Sequence, residues 1–440
     1  MNKQKAIIGL TVLVDVIGLG VVIPVLPYYV RSFGAEPFMI TLLFAVFSFC
    51  AFFSAPLLGS LSDKVGRRPM LILSILSTSI GWFIFAGTHS IIGLFIGRIV
   101  DGLAAGNFPI AQSYLLDISK TDKEKSANLG MIGAIFGIGF IVGPLIGGLL
   151  SSFSHTTPFW FVGFLAMANT ILAYFILPET NLNMNRAKKI KLNPFTPLIR
   201  SLGNKTLILP FLAWFAFALG AVNTQSIFSL YIQDIFGFGS VVAGVFMTGT
   251  GLVLAFNQGF LLKRFWLKNF KERTLEMWGL LVFGIGFLLM STGSLTVFII
   301  GITITTFSQS ILRIVMTNQI TAKADQNAKG ETLGVLSSVM SLAMIIGPIA
   351  AGFLFQIREN IPFLVSTAIL IIAFMVVARD RRGARKLGVK RMEEELVTES
   401  LEERMIGRRI RRSGGSDIVT EGHQFAIKMF RITSRFISPS

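Results

Sequence analysis

The chain has 440 residues, 52% of them hydrophobic and 14% charged, with a mean hydropathy of +0.69, a balance that excludes an ordinary water-soluble domain. A net charge of +17 would suit nucleic acid only if the basic residues shared one exposed surface, and here they sit in short clusters between apolar runs, so no nucleic-acid partner is expected. The single cysteine, Cys50, excludes an intrachain disulfide framework, and His89, His155 and His423 are too scattered for a metal cluster, so no metal or other cofactor is expected.

One bilayer crossing takes about 20 mostly apolar residues. Runs of that length occur at 6–28, 38–60, 69–88, 91–116, 128–151, 158–178, 207–231, 239–262, 274–292, 295–319, 331–355 and 361–378. They predict an all-α membrane protein of twelve transmembrane helices. No polar cleavage region follows the first run, which therefore reads as a retained helix.

The loops alternate in basic content. Lys3 and Lys5, then Lys64, Arg67 and Arg68, then Lys120, Lys123 and Lys125 mark one side, whereas the intervening loops hold Arg31 alone or nothing. The second half continues the pattern at 186–205, at 263–273, and at Lys323 and Lys329. The positive-inside rule then puts both termini in the cytoplasm, and the expected form is a monomer in the inner cell membrane.

Residues 179–206, rich in Asn, Lys and Pro, divide the helices six and six. Gly130, Gly143-Pro144 and Pro158-Phe159 recur as Gly334, Gly347-Pro348 and Pro362-Phe363, each at an offset of 204 residues. The expected organisation is a six-helix bundle at 1–178, a cytoplasmic linker at 179–206 and a second bundle at 207–378, the bundles related by a pseudo-twofold axis. Parallel repeats of this kind are a transporter architecture. Residues 379–440 form a basic cytoplasmic tail, expected to be largely disordered. Within it, Phe425, Met429, Ile432 and Phe436 fall at helical spacing beside Lys428, Arg431 and Arg435, a pattern that fits either an anionic membrane surface or a flexible tail.

In helix 1, Asp15 lies about 14 Å along the helix from Ala6, near mid-membrane, where a carboxylate is costly and points to function or to a structural hydrogen bond. In helix 4, Arg98 and Asp101 are three residues apart and share a face. The pair serves as a permanent ion pair or as a proton site, and a pair offsets much of the cost of an isolated charge. In helix 5, Gly139, Gly143 and Gly147, with Gly148, make a smooth stripe, and Pro144 removes one backbone donor. Asn107, Gln112, Asn223, Gln225, Asn257, Gln258, Gln309 and Arg313 are polar positions within predicted helices, suited to a cavity lining or to interhelical hydrogen bonds. Arg313 lies deep enough for an anionic ligand or a paired acid, or within snorkelling reach of the cytoplasmic surface.

Between helices 2 and 3 the stretch GSLSDKVGRRPML holds Gly59, Leu61, Asp63, Gly66, Arg67, Arg68 and Leu71. Gly59 suits a close helix approach, Gly66 a tight turn, and Asp63 a helix start or an arginine. These residues reproduce the loop signature of the major facilitator superfamily, and the chain resembles that superfamily over roughly 6–378. The resemblance implies that this loop latches the two halves, with Asp117 as the nearest partner for Arg67 or Arg68. In helix 1, Asp15, Gly18, Gly20, Pro24 and Pro27 resemble the pattern of the drug:proton antiporter branch, as does the Gly-Pro motif of helix 5. In the superfamily the helix 4 arginine is linked to proton transfer, and Asp101 stands where the motif has Gln. The resemblance therefore implies a transporter and not an enzyme, driven by the proton gradient and exporting a small amphiphilic drug or metabolite. A symporter or a lipid-type flippase is the alternative. No acid is evident in the core of helix 9, where some tetracycline exporters of the family have one, which argues against tetracycline as cargo.

Overall fold

A computed structural model of the protein describes residues 3–181, 205–324 and 329–379. Among these residues there are helices and no strands, and twelve spans are long and apolar enough to cross a membrane. They are α1 (Lys3–Arg31), α2 (Pro37–Val65), α3 (Arg67–Gly87), α4 (Ile91–Asp117), α5 (Asp122–Ser151), α6 (Thr157–Ile176), α7 (Lys205–Phe236), α8 (Ser240–Asn269), α9 (Glu272–Met290), α10 (Leu295–Lys323), α11 (Lys329–Ile357) and α12 (Ile361–Arg379). Most of the linker expected at 179–206 and nearly all of the tail at 379–440, including its amphipathic segment, lie outside the described residues.

The spans match the apolar runs but many extend past them, because a backbone leaving hydrocarbon keeps its hydrogen bonds by staying helical until polar side chains meet water. Two spans depart from simple helix. The fourth is broken into Ile91–Leu103 and Asn107–Asp117, with Ala104, Ala105 and Gly106 between them. Pro109, in the first turn of the second piece, has no N–H to bond back across the gap, which suits a restart of the helix there. In α8 the stretch Asn257–Trp266 is π-helical. There the Asn257 carboxamide accepts from Trp266 Nε1 at 2.8 Å and donates to Ser310 and to the Phe307 carbonyl of α10.

α1 packs along α5, α3 along α4 and α6, α7 along α11 and α9 along α10. The first six helices meet the last six where α2 lies along α11 and α5 along α8, so both sets belong to one compact unit. The α1–α5 seam is tight enough to exclude side chains, since a Cβ on Gly20 would stand 2.8 Å from Pro144 Cδ and 2.9 Å from Gly143 Cα. Gly139 and Gly147 prolong that seam against Val16 and Val21. Gly148 turns the other way, onto Ser240 and Gly244 of α8. Its counterpart at the 204-residue offset, Gly352, presses on Phe38 and Thr41 of α2, and Gly347 packs on Val222 of α7 as Gly143 packs on α1. The sequence repeat is thus a repeat of contacts.

At the end of the bundle where α1 finishes, the two halves are joined. Arg31 pairs with Asp234 through both guanidinium nitrogens, one at 2.7 Å. Tyr28 donates to the Phe238 carbonyl at 2.8 Å, Ser229 to the Ile23 carbonyl at 3.2 Å, and Gln356 to Glu36 at 2.7 Å. Ser151 and Ser240 share a hydrogen bond of 2.8 Å. Toward the opposite end α5 stays on α1, with Lys5 paired to Glu124 and Ile135 against Gly9, while other faces of α5 and α11 are open. A side chain at Gly130, Gly133, Gly137 or Gly334 would meet open space.

Candidate functional site

The break in α4 places Asn107 at the start of a new helix, facing α1 and α3. Its Nδ2 donates to Asp15 Oδ1 at 2.8 Å and to Thr78 Oγ1 at 3.3 Å. The Thr78 side chain also lies beside Asp101, whose Oδ2 is 3.0 Å from Arg98 Nη1. Five side chains on three helices thus link the two acids singled out in the sequence. The close approach of α3 and α4 makes this possible, because a Cβ on Gly81 would lie 2.8 Å from both Asp101 Cβ and the Gly97 carbonyl.

Arg98 is 2% exposed and Asp101 6%. Apart from Asp101, the guanidinium rests on the faces of Phe47 and Trp82, at 4.2 and 5.1 Å from their centroids. A cation held between a carboxylate and two aromatic faces recovers part of its lost hydration. Within these five side chains, two buried atoms, Arg98 Nε and Asn107 Oδ1, have no hydrogen-bond partner. Thr78, Trp82 and Phe47 escape sequence reading, since Thr and aromatic residues are commonplace in apolar helices and nothing local marks these three.

The α2–α3 loop is built as expected at several points. Gly66 has φ of +119°, a conformation that L side chains rarely adopt. Arg67 joins Asp63 at 2.6 Å and Asp117 at 3.1 Å. The helix-start role foreseen for Asp63 falls instead to Glu179, whose two carboxylate oxygens accept from the backbone N–H groups of Arg67 and Arg68 at 2.8 and 3.0 Å. An anion at that position offsets the unpaired donors and dipole of a helix N-terminus. Arg68 stacks over Tyr174 and donates to its carbonyl. These partners lie in the first bundle or at the start of the linker, so none of the contacts described for this loop reaches the second bundle. Gly59 also differs from expectation. A side chain there would meet nothing within 4 Å, so the close helix approach is not made here.

The polar positions separate into two kinds. Asn107 is buried and bonds Asp15 and Thr78 on neighbouring helices. Asn223 donates to the Pro362 carbonyl and to Ser366, tying α7 to α12, and Asn257 and Gln258 tie α8 to α10. Gln112, Gln225 and Gln309 are half-buried, and Arg313 is exposed. α9 does hold a buried acid, Glu276, but near its start and not at its centre. Among the described residues no three His, Cys, Asp or Glu side chains gather into a metal-holding group.

A bundle of twelve membrane-length spans with ionisable side chains buried among its helices suits a membrane transporter. The chain belongs to the Major Facilitator Superfamily, whose family model matches residues 8–271 and 265–433. It is 28% identical over 395 residues to the quinolone resistance protein NorA of Staphylococcus aureus (strain MSSA476), covering 89% of this chain and 100% of that protein. It is also 28% identical over 363 residues to the class E tetracycline resistance protein of Escherichia coli, covering 81% of this chain and 89% of that one. These relatives place its resemblance in the drug:proton antiporter branch. Among solved structures, the human organic anion transporter MFSD10 aligns with a TM-score of 0.64 at 21% identity, over 86% of this chain and 99% of the other. The nucleoside transporter NupG aligns at 0.71 and 14% identity, over 86% and 99%. Both show the fold.

Proposed function

We propose that the protein is a proton-coupled exporter of small amphiphilic compounds, working by alternating access between bundles at 1–178 and 207–378 joined by the 179–206 linker. The observation that carries the reading is the buried polar cluster in which Asn107 bonds both Asp15 and Thr78, with Thr78 beside the Asp101–Arg98 pair. Two carboxylates in one membrane-embedded network are expensive to keep and suit proton handling. The efflux relatives, named for quinolone and tetracycline resistance, support export and an amphiphilic cargo.

An ionised Asp15 accepts the Asn107 amide proton. Once protonated it becomes a donor and needs an acceptor, and Asn107 Oδ1 is the buried atom left without one. Turning the amide meets that need and withdraws Nδ2 from Thr78, so the protonation state of Asp15 is passed to Asp101 and to the break in α4. A proton that binds the two conformations unequally shifts their populations, which is what coupling requires.

The basic loops put the Lys3, Lys64 and Lys120 end of the bundle, and both termini, in the cytoplasm. In that orientation the contacts around Arg31 and Asp234 seal the outer side, and the open surroundings of Gly130, Gly133, Gly137 and Gly334 correspond to a cytoplasm-facing state. Proton flux driven by a panel of amphiphilic drugs in inverted vesicles tests the reading. Coupled flux is expected with the wild type. If no compound moves protons, or if Asp15→Asn and Asp101→Asn together leave coupled flux intact, the reading fails.

A further inference from the structure

The relay of Asp15, Asn107, Thr78 and the Asp101–Arg98 pair is built on a helix that stops at Leu103 and restarts at Asn107. A stop of this kind leaves the last carbonyls of the first piece without their helical donors. The N–H groups of Ala105 and Gly106, which an unbroken helix would give to Asp101 and Gly102, go instead to Gly102 at 3.3 Å and to Ala104 at 2.7 Å. Two serines from neighbouring helices reach the broken end. Ser77 Oγ of α3 donates to the Val100 carbonyl at 2.7 Å, and Ser54 Oγ of α2 donates to the Gly102 carbonyl at 2.6 Å. Val100 and Gly102 are the residues on either side of Asp101. Ser48 of α2 behaves differently, bonding the Phe44 carbonyl of its own helix at 2.9 Å, as serines within helices commonly do.

Both serines stand on faces already pressed against this end of α4. On α3, Ser77 is next to Thr78 and one turn from Gly81, which meet Asn107 and Asp101. On α2, Phe47 covers Arg98, Cys50 Cβ lies 2.7 Å from where a Cβ on Gly102 would stand, and Ser54 follows one turn later. At about 100° per residue, Phe38 and Thr41 fall about 150° from Ser54, and they lie on Gly352 of α11. Ser54 thus belongs to the helix that also meets the second bundle. In a span, Ser side chains are suited to supplying the donors that a helix break removes. From these contacts, and resting on the reading that Asp101 handles a proton, we propose that Ser54 and Ser77 are positioning residues for Asp101. By holding the carbonyls before and after it they fix the broken end of α4, and with it the place of the carboxylate beside Arg98 and Thr78. The charged and titratable groups near that carboxylate are Arg98 on its own helix, Asp15 of α1 and Cys50 of α2, while α3 meets it with Thr78 and Gly81.

Infrared pH-difference spectra of the full chain in phosphatidylcholine nanodiscs, with no substrate added, read the carboxyl group directly. The carbonyl-stretch band of protonated Asp101 is the one that disappears in Asp101→Asn. Ser77→Ala and Ser54→Ala are each expected to shift the midpoint pH of that band by about half a unit, less than a hydrogen bond made to the acid itself would give, because the lost bond reaches Asp101 through the backbone. Ser77→Thr keeps the hydroxyl and is expected to restore the wild-type midpoint, and Ser48→Ala to leave it unmoved. Ser77→Cys, close to serine in shape and a weaker donor, is expected to fall between wild type and alanine, and it supplies the reading if Ser77→Ala does not fold. Wild-type midpoints in the alanine variants, or in Ser77→Cys where it replaces them, overturn the positioning role and leave the export reading in place. So does a Ser77→Thr midpoint displaced as far as that of Ser77→Ala, the mark of altered packing. If no band is lost in Asp101→Asn, Asp101 takes up no proton, and its share in proton coupling falls together with the role of the serines.

Discussion

Arg31 grips Asp234 with two nitrogens, and the two residues come from opposite halves of the chain, 203 positions apart. In the sequence Arg31 is the one basic residue in its loop, on the side where the loops hold few basic residues. The pair gives it a reason to be there, because it fastens the end of α1 to the end of α7 when that side is shut.

Breaking the pair should loosen the closed end. In a Cys50→Ser background, which removes the chain's one cysteine, a reporter at Ser229→Cys should react slowly with a membrane-impermeant thiol reagent added from outside. Arg31→Ala or Asp234→Asn should raise the rate on the order of fivefold, the shift in population that about 1 kcal/mol allows for a partly exposed ion pair. The swapped pair Arg31→Asp with Asp234→Arg should restore slow labelling. Equal rates in all four proteins would falsify a gating role.

Within the relay, Thr78 and Asn107 are expected to matter through the acids they join. Thr78→Val keeps the shape and removes the link between Asn107 and Asp101, so substrate binding should persist while proton flux per substrate moved falls by about tenfold or more, in line with a lost hydrogen bond to a charged group. Asn107→Leu should do the same, and Asn107→Asp should not rescue it because it adds a third acid. Stoichiometry measured in proteoliposomes decides the matter, and preserved coupling in Thr78→Val would remove Thr78 from the pathway.

Glu179 caps α3 from outside the helix. Glu179→Gln keeps the acceptor oxygen on one side and loses the charge, and Glu179→Ala loses both. The expected cost of the alanine change is about 1 kcal/mol, the worth of a helix cap with its dipole contribution, seen as a lower thermal midpoint in detergent, with glutamine intermediate. Identical midpoints for the three proteins would argue that water replaces the cap without loss.

The glycines of the two motifs should respond in opposite ways. Gly143→Ala puts a methyl about 2.9 Å from Gly20 Cα and should reduce the yield of folded protein, since neither backbone can yield. Gly59→Ala enters open space and should leave yield and thermal midpoint unchanged. Size-exclusion profiles of the two variants make the comparison, and a folding defect in Gly59→Ala would show that a conformation closing on that residue contributes to stability.

Much of the molecule was legible in the residues. Twelve apolar runs became twelve spans, the Arg98–Asp101 spacing of three became an ion pair, Asp117 became the partner of Arg67, and the 204-residue offset became a repeat of glycine contacts. Less legible were features that depend on what lies opposite. The break in α4 is written in Ala104-Ala105-Gly106 and Pro109, but a run of apolar residues masks it in a search for spans. The sequence left Asn107 open between a cavity lining and an interhelical bond, because an amide in an apolar helix carries no sign of which neighbour it meets.

By itself the sequence determined the solvent of this protein and the spacing of its charges. Hydrocarbon length and the cost of an unpaired backbone leave twelve helices as the outcome for such runs, whatever their packing. Only the tertiary structure decided partners. Asp15 and Asp101 are 86 positions apart on different helices, and their union runs through Thr78 and Asn107 because Gly81 and Gly97 let α3 and α4 close and the α4 break turns Asn107 toward both. Hydrogen bonds act over about 3 Å, so a network of them is a property of assembled helices and cannot be read from any one of them.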